Sequence, residues 1–260
     1  MKKGLQGAFF LLLALLLCTM QISADTGAIS WYTVRNKAHR QPIFGRDLSV
    51  VEEYNGFFID RKHTAQEGDK VVYLTFDAGY ENGNVARILD VLKEKRVSGA
   101  FFVLKHLVKA NGDLILRMER EGHTVCNHTA NHPDLSMAGK ERIRAEIEEL
   151  EQCYLTLTGK QMARFFRPPE GKFSIEMLKT VSDLGYKTVF WSFAYADWDN
   201  EHQPNTQKAL QCVMDNVHNG AVLLLHPTSK TNALILPTVI DELRAQGYRF
   251  GTLEELCGAG

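Results

Sequence analysis

The feature that most constrains this chain is an alternation that begins at Val71, in which short unbroken apolar runs take turns with amphipathic stretches. VVYLTF (71–76), GAFFVL (99–104) and AVLLL (221–225) are such runs, and HTVCN (123–127) and YKTVFW (186–191) read as further strands. A run of this length with no polar face to offer to water reads as a strand buried on both sides. Between the runs, VARILDVLKEK (85–95), LILRMEREG (114–122), residues 140–158, IEMLKTVSDLG (175–185), residues 208–217 and LPTVIDELRAQG (236–247) carry apolar residues at helical spacing. A short RFFR segment at 164–167 and YRFG at 248–251 supply further strands. Strand–helix alternation of this kind predicts an α/β fold, with a parallel sheet or barrel inside and helices outside. One domain spanning 65–257 accounts for the whole pattern, with no internal repeat and no low-complexity segment.

Residues 25–64 have no sustained periodicity, and their WYTVRN and YNGFF clusters suggest a lead-in that packs on the main body. The first 24 residues differ again. Lys2 and Lys3 precede the apolar stretch AFFLLLALLLCTM (8–20), and small residues stand at Ser23 and Ala24. This is a secretory-signal pattern. The uncharged stretch from Gly4 to Ala24 is also about long enough to span a bilayer, so a cleaved signal peptide and an N-terminal anchor both fit. Either places the rest of the chain outside the cytoplasm, in the cell wall or held on the outer face of the membrane. Cleavage after Ala24 would take the net charge from -1 to about -3. Lipid attachment at Cys18 is disfavoured, because the preceding Leu17 is not small. With 23% charged residues nearly balanced in sign, the chain has no basic footprint for nucleic acid.

Four cysteines follow the leader, Cys126, Cys153, Cys212 and Cys257, in a spacing that fits neither a disulfide framework nor a zinc cluster, although an oxidising compartment would let them pair. Cys126 stands two residues before His128 and reads more simply as a small buried strand residue than as a ligand.

The chemistry gathers at the strand ends. Asp77 follows VVYLTF, His128 and His132 follow HTVCN, Arg167 follows RFF, Asp197 comes shortly after KTVFW, and His226 ends AVLLL. One polar residue after a buried strand is ordinarily the chain meeting water. Five strands ending in this set point instead to a shared site, which parallel α/β folds build at the C-terminal ends of their strands. His128 and His132 are four apart in a turn before Pro133, a spacing that can bring two neutral imidazoles to one divalent ion.

TFDAGYENG, HTANHPDLS, RPPEG, ADW and LLLH occur in the order and spacing of the polysaccharide deacetylase (NodB-homology) family, and the resemblance extends over 71–256. Within it, GYENG, the HPDLS continuation, the tryptophan of VFWS and LGY are most similar to the branch acting on N-acetylmuramic acid of peptidoglycan, which includes the δ-lactam-forming enzymes of spore cortex. The resemblance implies a single distorted (β/α) barrel. It implies Asp77 as general base, Arg167 as its charge partner, His226 as general acid and Asp197 as the carboxylate orienting that acid. It implies His128 and His132 as ligands of a divalent metal, zinc being the expected ion. Trp198 and Leu224 match the wall and floor of an acetyl pocket, the backbone N–H of Glu170 an oxyanion donor, and Tyr80, in the first motif, a substrate-binding residue.

One departure stands out. The family's first motif ordinarily has two aspartates, the second a metal ligand, and here that position is Ala78. A two-histidine site completed by water or substrate should bind its ion less tightly. The implied partners are peptidoglycan glycan strands, with a functional link to an N-acetylmuramoyl-L-alanine amidase that strips the peptide first. Arg164 and Lys172, flanking RPPEG, are candidates for the cation that meets the muramic carboxylate. A deacetylase of GlcNAc-containing glycan and a catalytically impaired wall-glycan-binding relative remain as alternatives.

Overall fold

The architecture was obtained as a computed structural model that describes residues 27–64 and 68–258. The expected leader therefore lies outside the described residues, and among those described no helix is long and apolar enough to cross a membrane.

Seven main strands form the sheet: β1 (Lys70–Ala78), β2 (Ala100–Val103), β3 (Thr124–Asn127), β4 (Phe165–Phe166), β5 (Lys187–Val189), β6 (Ala221–Leu225) and β7 (Tyr248–Phe250). Their pairings are all parallel. β1 is the hub, with β2 and β7 along one side and β6 along the other. The sheet runs on from β2 through β3, β4 and β5 to a two-residue strand, Gly56–Phe57, contributed by the lead-in. Past β5 the chain bends back to β6, where Phe193 bridges Leu223 and Leu224 N–H donates to the Phe193 carbonyl at 2.9 Å. The curled sheet thus meets itself through isolated bridges, Phe193–Leu223 and the antiparallel Ile59–Ala221, rather than a full strand ladder, which makes the barrel distorted.

Period-two alternation sorts the apolar runs into two layers. From β1, Val72, Leu74, Phe76 and Ala78 join the outer cluster, packed with residues of the surrounding helices. Val71 and Tyr73 face the barrel interior with Ala100, Phe102, Cys126, Phe165, Val189 and Val222, and Leu253 and Leu256 of a short C-terminal helix join them. Both layers are dry, which explains why VVYLTF carries no polar face.

The main helices are α1 (Asn84–Lys95), α2 (Lys105–Ala110), α3 (Gly112–Arg120), α4 (Lys140–Thr158), α5 (Ile175–Asp183), α6 (Thr206–Asn216) and α7 (Lys230–Ala245). Two differ from expectation. The short α2 has no counterpart in the sequence reading. The last helix begins at Lys230 rather than Leu236, because Ser229 caps it by accepting from Asn232 N–H and the added turn buries Thr231 and Asn232. Pro237 therefore sits inside a helix whose packing outweighs the lost hydrogen bond.

The lead-in seals one side of the barrel. Trp31, 5% exposed, stacks on Phe44 and Phe190 and packs against Phe58. Its indole N–H donates to the Trp191 carbonyl at 2.9 Å and its backbone N–H to Gly171 at 2.9 Å. Gly171, at φ +66, lies against Trp31 and Trp191 so closely that a Cβ would come within 2.7 Å of the Trp191 ring. Cys126, Cys153, Cys212 and Cys257 are all free thiols, and Cys126 is a buried interior strand residue as read from the sequence. Trp31→Ala should cost about 3–5 kcal/mol of stability, measurable by urea unfolding; a loss under about 1 kcal/mol would mean that the lead-in does not seal the core.

Candidate active site

The site is assembled where β1, β3, β4 and β6 end. Because these strands are parallel, their C-terminal ends open on one face, and the loops there line a cleft of about 960 Å³. Its walls include Asp77, Tyr80, His128, His132, Glu170, Trp198, Leu224 and His226.

Asp77 stands at the top of the interior column of β1. Its Oδ1 accepts from Arg167 Nη1 at 2.8 Å. Arg167 is fully buried and makes three further bonds: Nε donates to the Val189 carbonyl at 2.8 Å, and Nη2 to Thr75 Oγ1 at 3.0 Å and the Phe190 carbonyl at 3.2 Å. The guanidinium lies over the Phe102 ring, 4.1 Å from its centroid. Thr75 in turn donates its hydroxyl to the Leu223 carbonyl at 2.7 Å. Burial alone would push the Asp77 carboxyl upward; the charges of Arg167, His128 and His226 outweigh it and hold the group below the ordinary aspartate range.

His128 Nδ1 is 2.8 Å from the Arg167 carbonyl, which can only accept, so Nδ1 carries the proton and Nε2 keeps its lone pair. Nε2 is 3.6 Å from Asp77 Oδ2, too long for a hydrogen bond. Burial drives the imidazole pKa down to about 4, so the ring is neutral at physiological pH, as a ligand must be. His132 places its ring centroid 5.0 Å from that of His128, the planes at 72°. Two imidazoles on one tetrahedral zinc, with Zn–N of about 2.0–2.1 Å, have centroids about 5 Å apart. The pair therefore fits a divalent ion as two ligands. Among the described residues no group of three or more His, Cys, Asp or Glu side chains is placed to hold a metal. Ala78 is fully buried in the outer apolar cluster.

Across the cleft, His226 Nδ1 donates to Asp197 Oδ1 at 2.8 Å, while its backbone N–H donates to Asp197 Oδ2 at 2.9 Å. Burial disfavours the charged ring, but Asp197 and the Asp77 charge prevail and raise its pKa above the ordinary histidine value. Asn232, from the first turn of α7, was not foreseen: its Nδ2 donates to Asp197 Oδ2 at 2.5 Å and to the His226 carbonyl at 3.0 Å, and its Oδ1 accepts from the Tyr195 hydroxyl. Trp198 is 64% exposed at the rim and Leu224 is buried in the floor. Glu170 takes a left-handed φ of +56 in the turn Pro169–Gly171, where Pro169 has no N–H and the Gly171 N–H donates to the Pro168 carbonyl at 3.1 Å. Tyr80 accepts from Asn200 Nδ2 at 2.6 Å.

Arg164 is misassigned by the sequence reading. It precedes β4, at the end of the strand away from the cleft, where it pairs with Glu151 and lies 5.0 Å over the Tyr186 ring. Lys172 remains near the Glu170 side of the cleft, ion-paired with Glu170 at 2.8 Å and Asp134 at 3.3 Å.

The polysaccharide deacetylase family model matches residues 64–189. Peptidoglycan-N-acetylmuramic acid deacetylase PdaA of Bacillus subtilis (strain 168) is 41% identical over 229 residues, 88% of this chain and 85% of that protein. The chain belongs to the polysaccharide deacetylase family. The structure of Bacillus subtilis PdaA, a family 4 carbohydrate esterase, matches it with a TM-score of 0.84 at 40% identity, covering 90% of this chain and 98% of that one. A second family member, a peptidoglycan-N-acetylglucosamine deacetylase of Bacillus cereus, is 31% identical over 194 residues, 72% of this chain and 88% of its own.

In a polysaccharide deacetylase of this geometry, Asp197→Asn removes the anion that favours the protonated form of His226. The alkaline limb of kcat/KM should then move to lower pH, and kcat should fall about 10²–10⁴-fold. A pH–rate profile checks both; an alkaline limb left in place would detach Asp197 from the proton donor.

Proposed function

We propose that this chain hydrolyses the N-acetyl group of N-acetylmuramic acid in peptidoglycan, releasing acetate and a free amine. The observation that carries the reading is the 41% identity with a muramic acid deacetylase over 88% of the chain. The cleft's chemistry supports it, with a carboxylate paired to Arg167 opposite an imidazole whose protonated form Asp197 favours.

Amide hydrolysis needs a base for water and an acid for the departing amine. In this reading Asp77 takes the proton from water as the oxygen attacks the acetyl carbonyl. The Glu170 backbone N–H helps stabilise the oxyanion. The C–N bond then breaks as His226 delivers its proton to the nitrogen. Leu224 and Trp198 enclose the acetyl methyl, and Tyr80 contacts the sugar. His128 and His132 would hold a divalent metal, zinc being the expected ion, which when bound polarises the carbonyl and acidifies water. With two protein ligands, such an ion would be readily lost to chelators.

The finer reading is muramic δ-lactam formation in spore cortex. The freed amine forms an amide bond with the lactyl carboxylate of the same residue, with loss of water, once an N-acetylmuramoyl-L-alanine amidase has removed the peptide. That places the protein in the extracytoplasmic cell wall, exported through its N-terminal segment. Lys172 is the remaining candidate to meet the lactyl carboxylate. The 31% identical N-acetylglucosamine deacetylase supports a second reading, deacetylation of GlcNAc in the same polymer.

Purified protein with zinc, given peptide-free glycan strands, should remove acetyl from muramic residues by mass spectrometry and leave chitooligosaccharides intact. Asp77→Asn should lower the rate at least about 10²-fold while glycan affinity survives. Acetyl loss confined to chitooligosaccharides would favour the second reading, and no acetyl loss with zinc, cobalt or manganese would remove the hydrolase assignment.

A further inference from the structure

The segment 128–132 has a backbone that its sequence resists. Thr129 has φ +74 and His132 φ +56, and neither is glycine. A β-branched residue in the left-handed region is strained, and such strain persists only where surrounding bonds over-determine it. Three come from within the segment's own neighbourhood: Asn127 Oδ1 accepts from Thr129 N–H at 2.9 Å, Thr129 Oγ1 from His132 N–H at 2.9 Å, and Asn127 Nδ2 donates to the Ile147 carbonyl at 3.1 Å.

Several more come from one residue of α4. Glu146 stands among the buried apolar residues Ile143, Ile147 and Leu150 and is itself 2% exposed. A carboxylate there is costly unless its bonds are made. Glu146 Oε2 accepts from Asn131 N–H at 2.9 Å, and Oε1 and Oε2 accept from Asn131 Nδ2 at 3.2 and 3.3 Å. Its backbone carbonyl accepts from Ala130 N–H at 3.0 Å. Arg142 sits 2.7 Å from Oε1, and Lys105 donates to Asn131 Oδ1 at 3.0 Å and to Glu149 at 2.5 Å, so the cluster is charge-compensated. Two consecutive peptide N–H groups of the segment between the histidines therefore end on this single residue.

We propose that Glu146 is the positioning residue of the histidine turn: its carboxylate fixes the left-handed backbone that sets His132 beside His128, and so controls how tightly the two histidines hold a divalent ion. With only two protein ligands, affinity depends on their mutual placement more than in a site with a third. The inference rests on the metal role of the histidines, not on which sugar is the substrate.

The test is zinc affinity of the full chain, by competition with a chromophoric chelator, alongside thermal unfolding without metal. Glu146→Asp withdraws the carboxylate by one methylene and keeps its charge; it should fold and bind zinc about tenfold more weakly, the loss usual for partners that orient metal ligands. Glu146→Gln keeps an acceptor for Asn131 N–H and should stay within about threefold of the parent. Glu146→Leu should lose about a hundredfold; if it fails to fold, the Asp and Gln pair decides. Parental zinc affinity in a folded Glu146→Asp, or weakening in Gln equal to that in Asp, would overturn the proposal. Absence of zinc binding by the parent chain would overturn it too, while leaving acetyl release to judge the proposed reaction separately.

Discussion

The site depends on one buried guanidinium. Arg167 is wholly enclosed, and a charge in such a place is tolerated only when it is paired and hydrogen-bonded. Its partners come from β1, from β5 and from the residue just after β5, with the Phe102 ring of β2 beneath it. Arg167 thus ties together strands that the sheet itself leaves apart. Its backbone works as well, since its carbonyl fixes which nitrogen of His128 carries the proton. One residue sets the charge of Asp77 and the tautomer of a candidate metal ligand.

From that arrangement the two sides of the cleft acquire opposite proton habits. The Asp77 side keeps a proton off its carboxylate because a permanent cation is its nearest partner. The His226 side favours a proton on its imidazole because Asp197 is buried against it and Asn232 occupies that carboxylate's remaining oxygen. An acid and a base in one cleft must differ in this way to coexist near neutral pH. Ala78 shows the limit of the design: in a regular strand, position 78 falls on the face turned to the helices, and an alanine there completes the apolar packing instead of a ligand set.

Much of this was legible in the sequence, and for a physical reason. Asp77, His128, Arg167 and His226 each stand at the end of a buried strand or directly after it, so the end of the strand marks the mouth of the barrel. The residues that escaped notice lie inside patterns with another meaning. Thr75 is hidden within VVYLTF, Asn232 within a helical turn whose start Pro237 obscures, and Glu146 within the apolar stripe of α4, where a single acidic residue reads as noise. Arg164 was misplaced because adjacency to a motif says nothing about which end of a strand a residue occupies. Trp31 was read only as part of a cluster; its role in sealing the barrel depends on contacts with Phe44, Phe58 and Phe190, far apart in the chain.

The central claim is that Arg167 keeps Asp77 ionised despite burial. It is tested most directly by following the Asp77 carboxyl carbon by NMR through an acid titration, assigned by its disappearance in Asp77→Asn. The account predicts a carboxylate signal unchanged from about pH 7 down to about pH 5, and a midpoint below the usual aspartate pKa of about 3.9. A midpoint above that value would show that burial wins over the guanidinium, and Asp77 could not serve as the resting base.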